Sequence, residues 1–391
     1  MKKKISILGA TGSIGISALS IIDKKKFFFN IVLLSSNKNL NLICKQIKKY
    51  KPKYYVINDL KIFNKVKKKF KKSKVKIINF FNFNDKNIKS EIVISAIPGI
   101  AGLKPTINII DKTKKILIAN KESIICGWNL IKEKAKKSKT KIVPIDSEHF
   151  SIFQLIKNTK IEDIEKIFLT ASGGPFLNLK ISKFKKIKPK DALIHPKWKM
   201  GKKITIDSST LMNKMFELIE AHKLFNIPLN KLDILIHPNS LVHAIVRFKN
   251  GLTKLLYHDT SMIVPLANAI FDGNLLIKNY LKNSKINSQN HFPNLIFKQP
   301  DKKIFPIIKM MKRINEFPST PIIINSANEV LVEQFLQKNI AFLSISKIIM
   351  AIMNDRNYKK YAIKRPRNIN QIKSIDHWTR EITFKKIKIL K

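Results

Sequence analysis

The run Asp207-Ser-Ser-Thr-Leu-Met-Asn-Lys-Met-Phe-Glu217 gathers hydroxyls, an amide, a cation and a carboxylate within eleven residues. If a helix begins near Ser209, Asn213 and Glu217 stand four apart and Lys214 and Glu217 three apart, so the three share a face. Hydroxyl, amide and ammonium donors suit a phosphate, and a carboxylate suits a divalent cation. One segment could thus hold both ends of a phosphorylated, metal-chelating substrate. A plain Ser/Thr-capped amphipathic helix with an i,i+3 Lys–Glu pair would carry the same residues. A second acidic group, Asp146-Ser147-Glu148-His149, follows an apolar run ending at Ile145. Asp146 and Glu148 are two apart, so extended backbone would point them the same way. With Glu217 they make an all-oxygen set, which favours Mg2+ or Mn2+ over Zn2+. Asp146 could equally cap a helix over 150–156.

Three further stretches add polar groups at the ends of apolar runs. Ser172-Gly173-Gly174-Pro175 offers a hydroxyl and free backbone amides, an anion nest by composition. His195-Pro-Lys-Trp198-Lys-Met200-Gly201 joins an imidazole to a large apolar cap, a combination a water-excluding lid needs. A solvated loop His and a core Trp are the plainer readings of the same residues. Asn120-Lys121-Glu122-Ser123 follows a run ending at Ala119. No serine or cysteine stands in a nucleophile arrangement.

Gly9-Ala-Thr-Gly12-Ser-Ile-Gly15 lies between the first apolar run and the first helical pattern. A dinucleotide fold places its pyrophosphate at such a turn, where glycines let backbone N–H groups approach the phosphates. A structural strand-to-helix turn is the alternative. NAD enzymes end the second strand on Asp or Glu, to bind the ribose 2′-hydroxyl. Here no acid occurs between Asp23 and Asp59, and the second strand runs into Ser35-Ser-Asn-Lys-Asn39. Polar donors with a cation suit a 2′-phosphate, so NADPH is favoured over NADH.

The elements that must position these groups follow from periodicity. Strands are predicted at Ile5–Leu8, Ile31–Leu34, Tyr54–Ile57, Ile92–Ile97, Ile116–Ala119 and Ile142–Ile145, with a helix over Ile14–Ile22 and others between. Strands alternating with helices predict a Rossmann-like parallel α/β sheet. The middle of the chain differs: Ile167–Thr170, Leu232–His237 and Val242–Phe248 read as strands, the last two joined by a Pro-Asn-Ser turn. Lys254–Tyr257 is placed to pair with them after Asn250-Gly251, giving an α+β domain with a partly antiparallel sheet. The final section reads as helical, with Ser326-x-x-Glu329 as a capping box. The expected division is a nucleotide domain over 1–146, a catalytic domain over 147–272, a connecting segment over 273–297 and a C-terminal helical domain over 298–391.

Composition narrows the function classes. The formal charge of +50 suggests nucleic acid or an anionic surface, but 70 of the 76 basic residues are Lys and only six are Arg. Nucleic-acid readers lean on Arg for bidentate contacts. Lys, Ile, Asn and Phe share A/T-rich codons, so drift in an AT-rich genome explains the excess. The N-terminal Met1-Lys-Lys-Lys and the apolar stretch to Ile22 superficially suggest a signal peptide. Regular glycines, Thr11, Ser13 and the following Asp23 argue against it. No later window holds about 18 uninterrupted apolar residues, so no membrane span is expected. Cys44 and Cys126 are too few for a disulfide framework, which fits a cytoplasmic protein.

Taken together the motifs resemble the 1-deoxy-D-xylulose 5-phosphate reductoisomerase family. The matching blocks are Gly9–Gly15, Ala119–Ser123, Pro144–His149, Ser172–Phe176, His195–Gly201, Asp207–Glu217, His237–His243 and Asn325–Glu329, in the family's order and across nearly the whole chain. The resemblance implies an NADPH domain, a catalytic domain with a lid, a C-terminal helical bundle and a homodimer. It implies that Asp146, Glu148 and Glu217 carry Mg2+ or Mn2+. Ser172, Ser208, Asn213 and Lys214 would take the substrate phosphate, with His195 closing over it, and Trp198 and Glu217 would also bind substrate. Lys121, Ser147 and Glu148 would contact the carbon skeleton, with Lys121, Glu148 and His195 as the catalytic candidates. Thr11, Gly12, Ser13, Ile14, Asn37, Lys38, Asn39, Asn120, Glu122 and Gly201 would line the NADPH site. Asp207 and Ser209 are left to cap.

The implied reaction rearranges 1-deoxy-D-xylulose 5-phosphate and reduces it to 2-C-methyl-D-erythritol 4-phosphate, in non-mevalonate isoprenoid precursor biosynthesis. The partner is then a small phosphorylated sugar, with no nucleic acid or membrane. A simple NADPH dehydrogenase without isomerisation and a nucleic-acid binder are the competing readings. Departures from the family pattern are Asn37 where Gly is usual, small changes at Ala171 and Ser209, and a divergent His258–Met262 stretch. Asn at 37 would preserve a left-handed turn.

Overall fold

The computed structural model describes residues 2–79, 88–198, 200–281 and 294–390. Lys199 of the lid stretch and residues 282–293 of the expected connecting segment lie outside them. By internal contacts the chain divides into two compact units. The first comprises Met1–Ser123, Trp128–Phe150 and Ser261–Ser284, and the second Ile124–Gly127, Ser151–Thr260 and Lys285–Lys391.

Short β-branched runs build the sheet of the first unit: β1 (Lys3–Leu8), β2 (Phe29–Ser36), β3 (Tyr54–Ile57), β4 (Lys76–Ile78), β5 (Ser90–Ser95), β6 (Thr113–Ile118) and β7 (Lys141–Pro144). All neighbours pair in parallel, in the order β4-β3-β2-β1-β5-β6-β7. Sheets of this kind bury both faces, which explains near-continuous apolar strands rather than alternation. Ile5, Ile7 and Leu8 of β1 are fully buried, each contributing about 2 kcal/mol of burial. The strand order reverses between β1 and β5, and α/β folds take ligands at the carboxyl ends beside such a switch. Gly9 follows β1 there, Asn120-Lys121 follows β6 and Asp146 follows β7. The α/β parallel architecture is as the periodicity predicted. β4, not predicted from periodicity, is a three-residue edge strand in a lysine-rich stretch, too short to leave a pattern.

The second unit holds a four-stranded mixed sheet: β8 (Ile164–Ala171), β9 (Leu232–Ile236), β10 (Val242–Phe248) and β11 (Thr253–Tyr257), in the order β11-β10-β8-β9. β10 pairs antiparallel with β11 and β8, while β9 pairs parallel with β8. β9 and β10, consecutive across Pro238-Asn-Ser240, are separated in the sheet by β8. Their connection is short, yet the backbone of β8 satisfies both, and His237 N donates to Ala171 O at 2.7 Å.

Helices fill the rest of this unit. The Thr320–Leu336 helix is buried at most positions and packs on Ile369–Leu390, Ser344–Met353 and Lys202–Ser209. A helix apolar on all sides belongs in the centre of a bundle. Its start corrects the expected capping box. Ser319 holds the N-cap position and Pro321 sits in the first turn, so Ser326 lies inside the helix and is fully buried. Glu329 is turned to Arg380 rather than back to a cap. No described helix is long and apolar enough to cross a membrane.

Candidate active site

The glycine turn of the first unit is shaped by what cannot fit there. Gly9 takes φ +86, and a β-carbon on it would stand 2.6 Å from Ala96 O. A β-carbon on Gly15 would meet Gly9 O at 2.4 Å, so that glycine lets the Ser13–Lys24 helix close on the turn. Gly12 is different: its nearest obstacle is Gly9 O at 3.4 Å, and the residue is exposed. The first and third glycines shape the turn, and the second leaves its outer face bare. Thr11, Ser13 and Ile14 lie on this same turn and the first helical residues.

Two further residues, Ser35 at the polar end of β2 and Gln46, brace the turn. Ser35 Oγ accepts from Gly9 N at 3.0 Å, and Ser35 O from Ala10 N at 2.7 Å. Gln46 Nε2 donates to Ala10 O at 2.8 Å and is held by Tyr55 OH at 2.7 Å. Nothing in the spacing marked Gln46, one polar residue in a lysine-rich helix. Asn37, Lys38 and Asn39 follow β2 and are exposed. Asn39 Oδ1 accepts from Leu42 N at 3.1 Å, so it caps the Leu40–Tyr50 helix. Asn37 is not among the positive-φ residues, so its replacement of Gly requires no left-handed backbone.

At the ends of β6 and β7 the polar groups converge. Asn120 caps the Lys121–Ser138 helix through Ser123 N at 2.6 Å, and its amide donates to Ile97 O, to Gly99 O at 3.0 Å and to Glu122 Oε2 at 3.3 Å. Lys121, buried beside it, puts its ammonium 3.0 Å from Asp146 Oδ2. Asp146 O accepts from Phe150 N at 2.8 Å and starts the Ser147–Leu155 helix. Asp146 is thus at an N-cap, and Glu148 is in the first helical turn. The extended backbone expected between the two carboxylates is not formed, because helix hydrogen bonding begins at Asp146. Ser147 Oγ donates to Glu148 Oε2, which ties those side chains together.

In the second unit the run 207–217 is not one helix. The Lys202–Ser209 helix ends, Leu211 takes φ +66, and a new helix runs Met212–Phe225. Within its first turns Asn213 Nδ2 donates to Glu217 Oε1, and Lys214 Nζ to Glu217 Oε2 at 2.7 Å. Lys214 and Glu217 are both buried, so the pair is screened little by solvent. Asp207 and Ser209 do not cap. Asp207 accepts from Asn328 and Lys203 in the core, and Ser209 Oγ bonds back to Ile206 O at 2.7 Å. Ser208, between them, is half-exposed.

The turn after β8 meets the lid stretch and this segment. Ser172 Oγ accepts from Gly174 N at 3.1 Å and lies 3.1 Å from His195 Nε2. His195 Nδ1 accepts from Lys197 N at 3.1 Å and Trp198 N at 2.8 Å. Two N–H donors on Nδ1 fix the neutral tautomer with its proton on Nε2, which then donates to Ser172. Burial first, and then the Lys214 charge, push the His195 pKa down to about 4. Gly174 takes φ +62, and a β-carbon on it would stand 3.1 Å from Ser209 Cα. Ser172, His195, Ser208, Asn213, Lys214 and Glu217 are therefore brought together in one unit. Trp198 lies edge-on to His243 at 6.1 Å, and His243 stacks on His258 at 3.8 Å. Gly201 begins the Lys202–Ser209 helix, and a β-carbon there would touch nothing.

Family models for 1-deoxy-D-xylulose 5-phosphate reductoisomerase match residues 5–127, for its C-terminal domain residues 142–225, and for a DXP reductoisomerase C-terminal domain residues 259–382. The reductoisomerase of Pelagibacter ubique (strain HTCC1062) is 49% identical over 383 residues, covering 96% of this chain and 97% of the relative. The chain belongs to the 1-deoxy-D-xylulose 5-phosphate reductoisomerase family. A reductoisomerase from Wolbachia pipientis wMel is 38% identical over 98% of this chain and 97% of its own length. Among solved reductoisomerase structures, the Zymomonas mobilis enzyme in complex with NADPH matches with a TM-score of 0.87 at 30% identity, covering 99% of each chain. A DOX-P reductoisomerase in complex with NADPH, fosmidomycin and magnesium matches with a TM-score of 0.90 at 31% identity over 99% of each chain.

Proposed function

We infer that this chain catalyses the NADPH- and divalent-metal-dependent conversion of 1-deoxy-D-xylulose 5-phosphate to 2-C-methyl-D-erythritol 4-phosphate. The observation that carries the reading is the 49% identity to a reductoisomerase across 96% of the chain. The donor sets fit both groups the reaction needs. The exposed, bare face at Gly12 and the acid-free end of β2 suit a dinucleotide with a 2′-phosphate. Asp146, Glu148 and Glu217 are oxygen donors, the chemistry of Mg2+ or Mn2+ rather than Zn2+.

The residue roles are assigned by resemblance and supported by the chemistry within each unit. Asp146, Glu148 and Glu217 hold the metal. Thr11, Gly12, Ser13, Ile14, Asn37, Lys38, Asn39, Asn120, Glu122 and Gly201 line the NADPH site. When bound, the metal acidifies a substrate hydroxyl and polarises the ketone, and NADPH carries the reducing hydride. The chain's own residues bind and orient. Lys214 supplies charge to the substrate phosphate, while Asn213, Ser172 and Ser208 supply hydrogen bonds. His195, neutral with its proton on Nε2, closes over the phosphate without adding a second positive charge. Trp198 excludes water, which strengthens each of these contacts. Lys121, Ser147 and Glu148 face the carbon skeleton, with Lys121 and Glu148 moving protons. Binding energy at the phosphate, remote from the reacting carbons, supports orientation and lid closure.

On this reading residues 1–146 bind the nucleotide, 147–272 carry the chemistry and 298–391 form the helical domain. The chain acts as a homodimer in the cytoplasm on a small phosphorylated sugar, without nucleic acid. Two buried free cysteines support a reducing compartment, and the Lys-rich, Arg-poor charge supports compositional drift over a nucleic-acid surface. The test is NADPH oxidation by purified protein with 1-deoxy-D-xylulose 5-phosphate, with and without Mg2+ or Mn2+. Oxidation is expected only with sugar phosphate and metal together. No metal-dependent signal from folded protein rejects the reading.

A further inference from the structure

The Lys202–Ser209 helix carries a buried carboxylate that none of the roles above employs. Asp207 is 1% exposed; its Oδ1 accepts from Asn328 Nδ2 at 2.7 Å, and its Oδ2 from Lys203 Nζ at 2.8 Å. Asn328 is itself fully buried on the Thr320–Leu336 helix, 121 residues away in sequence. One turn to either side of it stand the buried apolar residues Ile324, Leu331 and Val332. Apolar side chains at both 207 and 328 would suit those neighbours and spare the desolvation of an amide and a carboxylate. Buried polar pairs that cost stability have their best-attested use in fixing register.

The backbone beside Asp207 gives that register something to fix. Asp207 O accepts from Thr210 Oγ1 at 3.2 Å, and Ser208 O accepts from Leu211 N at 3.2 Å. Leu211 takes φ +66, a left-handed conformation that a leucine disfavours. From it the next helix starts, with Lys214 N donating to Leu211 O at 3.1 Å. On the other side, a β-carbon on Gly174 would stand 3.2 Å from Ser208 O. Ser208 is therefore held between the turn that launches Lys214 and a carboxylate tied to the C-terminal helices.

We propose that Asp207 and Asn328 are positioning residues: their buried hydrogen bond sets the end of the Lys202–Ser209 helix and thereby the aim of Ser208 and Lys214 at the substrate phosphate. This rests on the reading of Ser208 and Lys214 as phosphate donors. The C-terminal helices then tune affinity for the sugar phosphate without touching it.

Steady-state kinetics of the full chain with 1-deoxy-D-xylulose 5-phosphate and NADPH test this in Asn328→Asp, Asp207→Asn and the reciprocal double variant. Asn328→Asp opposes two carboxylates and is expected to raise the sugar-phosphate KM at least about tenfold while the NADPH KM stays within about twofold. The double variant restores an amide–carboxylate bond with the partners exchanged, and is expected to bring the sugar-phosphate KM back to within about threefold. A merely structural contact would lower Tm and leave the sugar-phosphate KM unchanged, and that result overturns the proposal. A double variant no better than the worse single variant also overturns it. Should Asn328→Asp not fold, Asn328→Leu removes the donor without adding charge and carries the same KM expectation. Lys214→Ala, measured alongside, separates the two levels. If it leaves the sugar-phosphate KM unchanged, the phosphate reading falls and takes this inference with it. If it raises that KM while the Asn328 variants do not, only the positioning role is overturned.

Discussion

The Gly9–Gly15 turn and the Lys202–Phe225 segment both serve anions on the reading above, and they are made of opposite materials. The turn is built from backbone and from missing side chains: Gly9 and Gly15 would drive β-carbons to 2.6 Å and 2.4 Å from carbonyl oxygens. Its donors are peptide N–H groups, whose strength does not depend on any titration. The segment is built from side chains, with Lys214 and Glu217 buried and bonded at 2.7 Å. Its strength is electrostatic, so it depends on desolvation and on which neighbours share the charge. A backbone site fails when volume is added, whereas a charged site fails when a partner is removed. Substitutions that add volume to one region and remove charge from the other test this difference.

The largest effect is expected for Glu217→Gln. It removes a carboxylate assigned to the metal and the Oε2 that accepts from Lys214 at 2.7 Å, so turnover should fall at least about a hundredfold. NADPH affinity, measured by fluorescence titration, should hold; an equal loss of both would break the distinction between the regions. Next is Lys214→Ala. Loss of a charge-assisted bond worth about 2 kcal/mol predicts a rise of about 30-fold in the sugar-phosphate KM, with a far smaller change for NADPH.

The turn should respond in the opposite manner. Gly9→Ala is expected to cost about 2 kcal/mol of stability in urea titration, from the positive φ and the clash with Ala96 O together. Gly12→Ala, whose β-carbon would meet only Gly9 O at 3.4 Å, should cost under about 0.5 kcal/mol and act chiefly on the NADPH KM. If both variants lose the same stability, the division of labour among the glycines is wrong.

The smallest effect concerns His195, whose folded pKa of about 4 lies below the ordinary value of about 6.5. As pH falls from about 6.5 toward 4, the unfolded chain takes up a proton that the folded chain refuses, so stability drops over that window and is unaffected above it. His195→Asn removes this slope. The Tm difference between pH 7 and pH 5 should be smaller in the variant than in the parent, and equal differences would discount the burial of the imidazole.

Much of the first unit was legible in the letters. β1, the glycine turn and the helix after it lie within a few residues of one another, and local steric rules fix them. Asp146 was found because it follows an apolar run, and strands of a parallel sheet carry ligands at their ends. The second unit was harder to read. Leu211 carries no mark of the left-handed conformation that splits Asp207–Glu217 into two helices, since glycine or asparagine is the usual sign. Ser326-x-x-Glu329 has the letters of a capping box but lies inside a buried helix that starts at Thr320. β9 and β10 are joined by a short loop yet pair on opposite sides of β8. Asp207 read as a cap because nothing nearby in sequence announces Asn328.

Sequence alone determined the alternation of strands and helices, the glycine turn, the absence of an acid after β2, and the residue types able to meet a phosphate and a hard cation. These depend on local sterics and on the chemistry of single side chains, which the order of residues states directly. Tertiary structure alone decided that Lys214 and Glu217 are buried together, that His195 is held neutral against Ser172, and that Asp207 belongs to Asn328. Burial and partner choice are set by atoms more than a hundred residues away, as with Asp207 and Asn328. A periodicity that spans one or two turns carries no record of them.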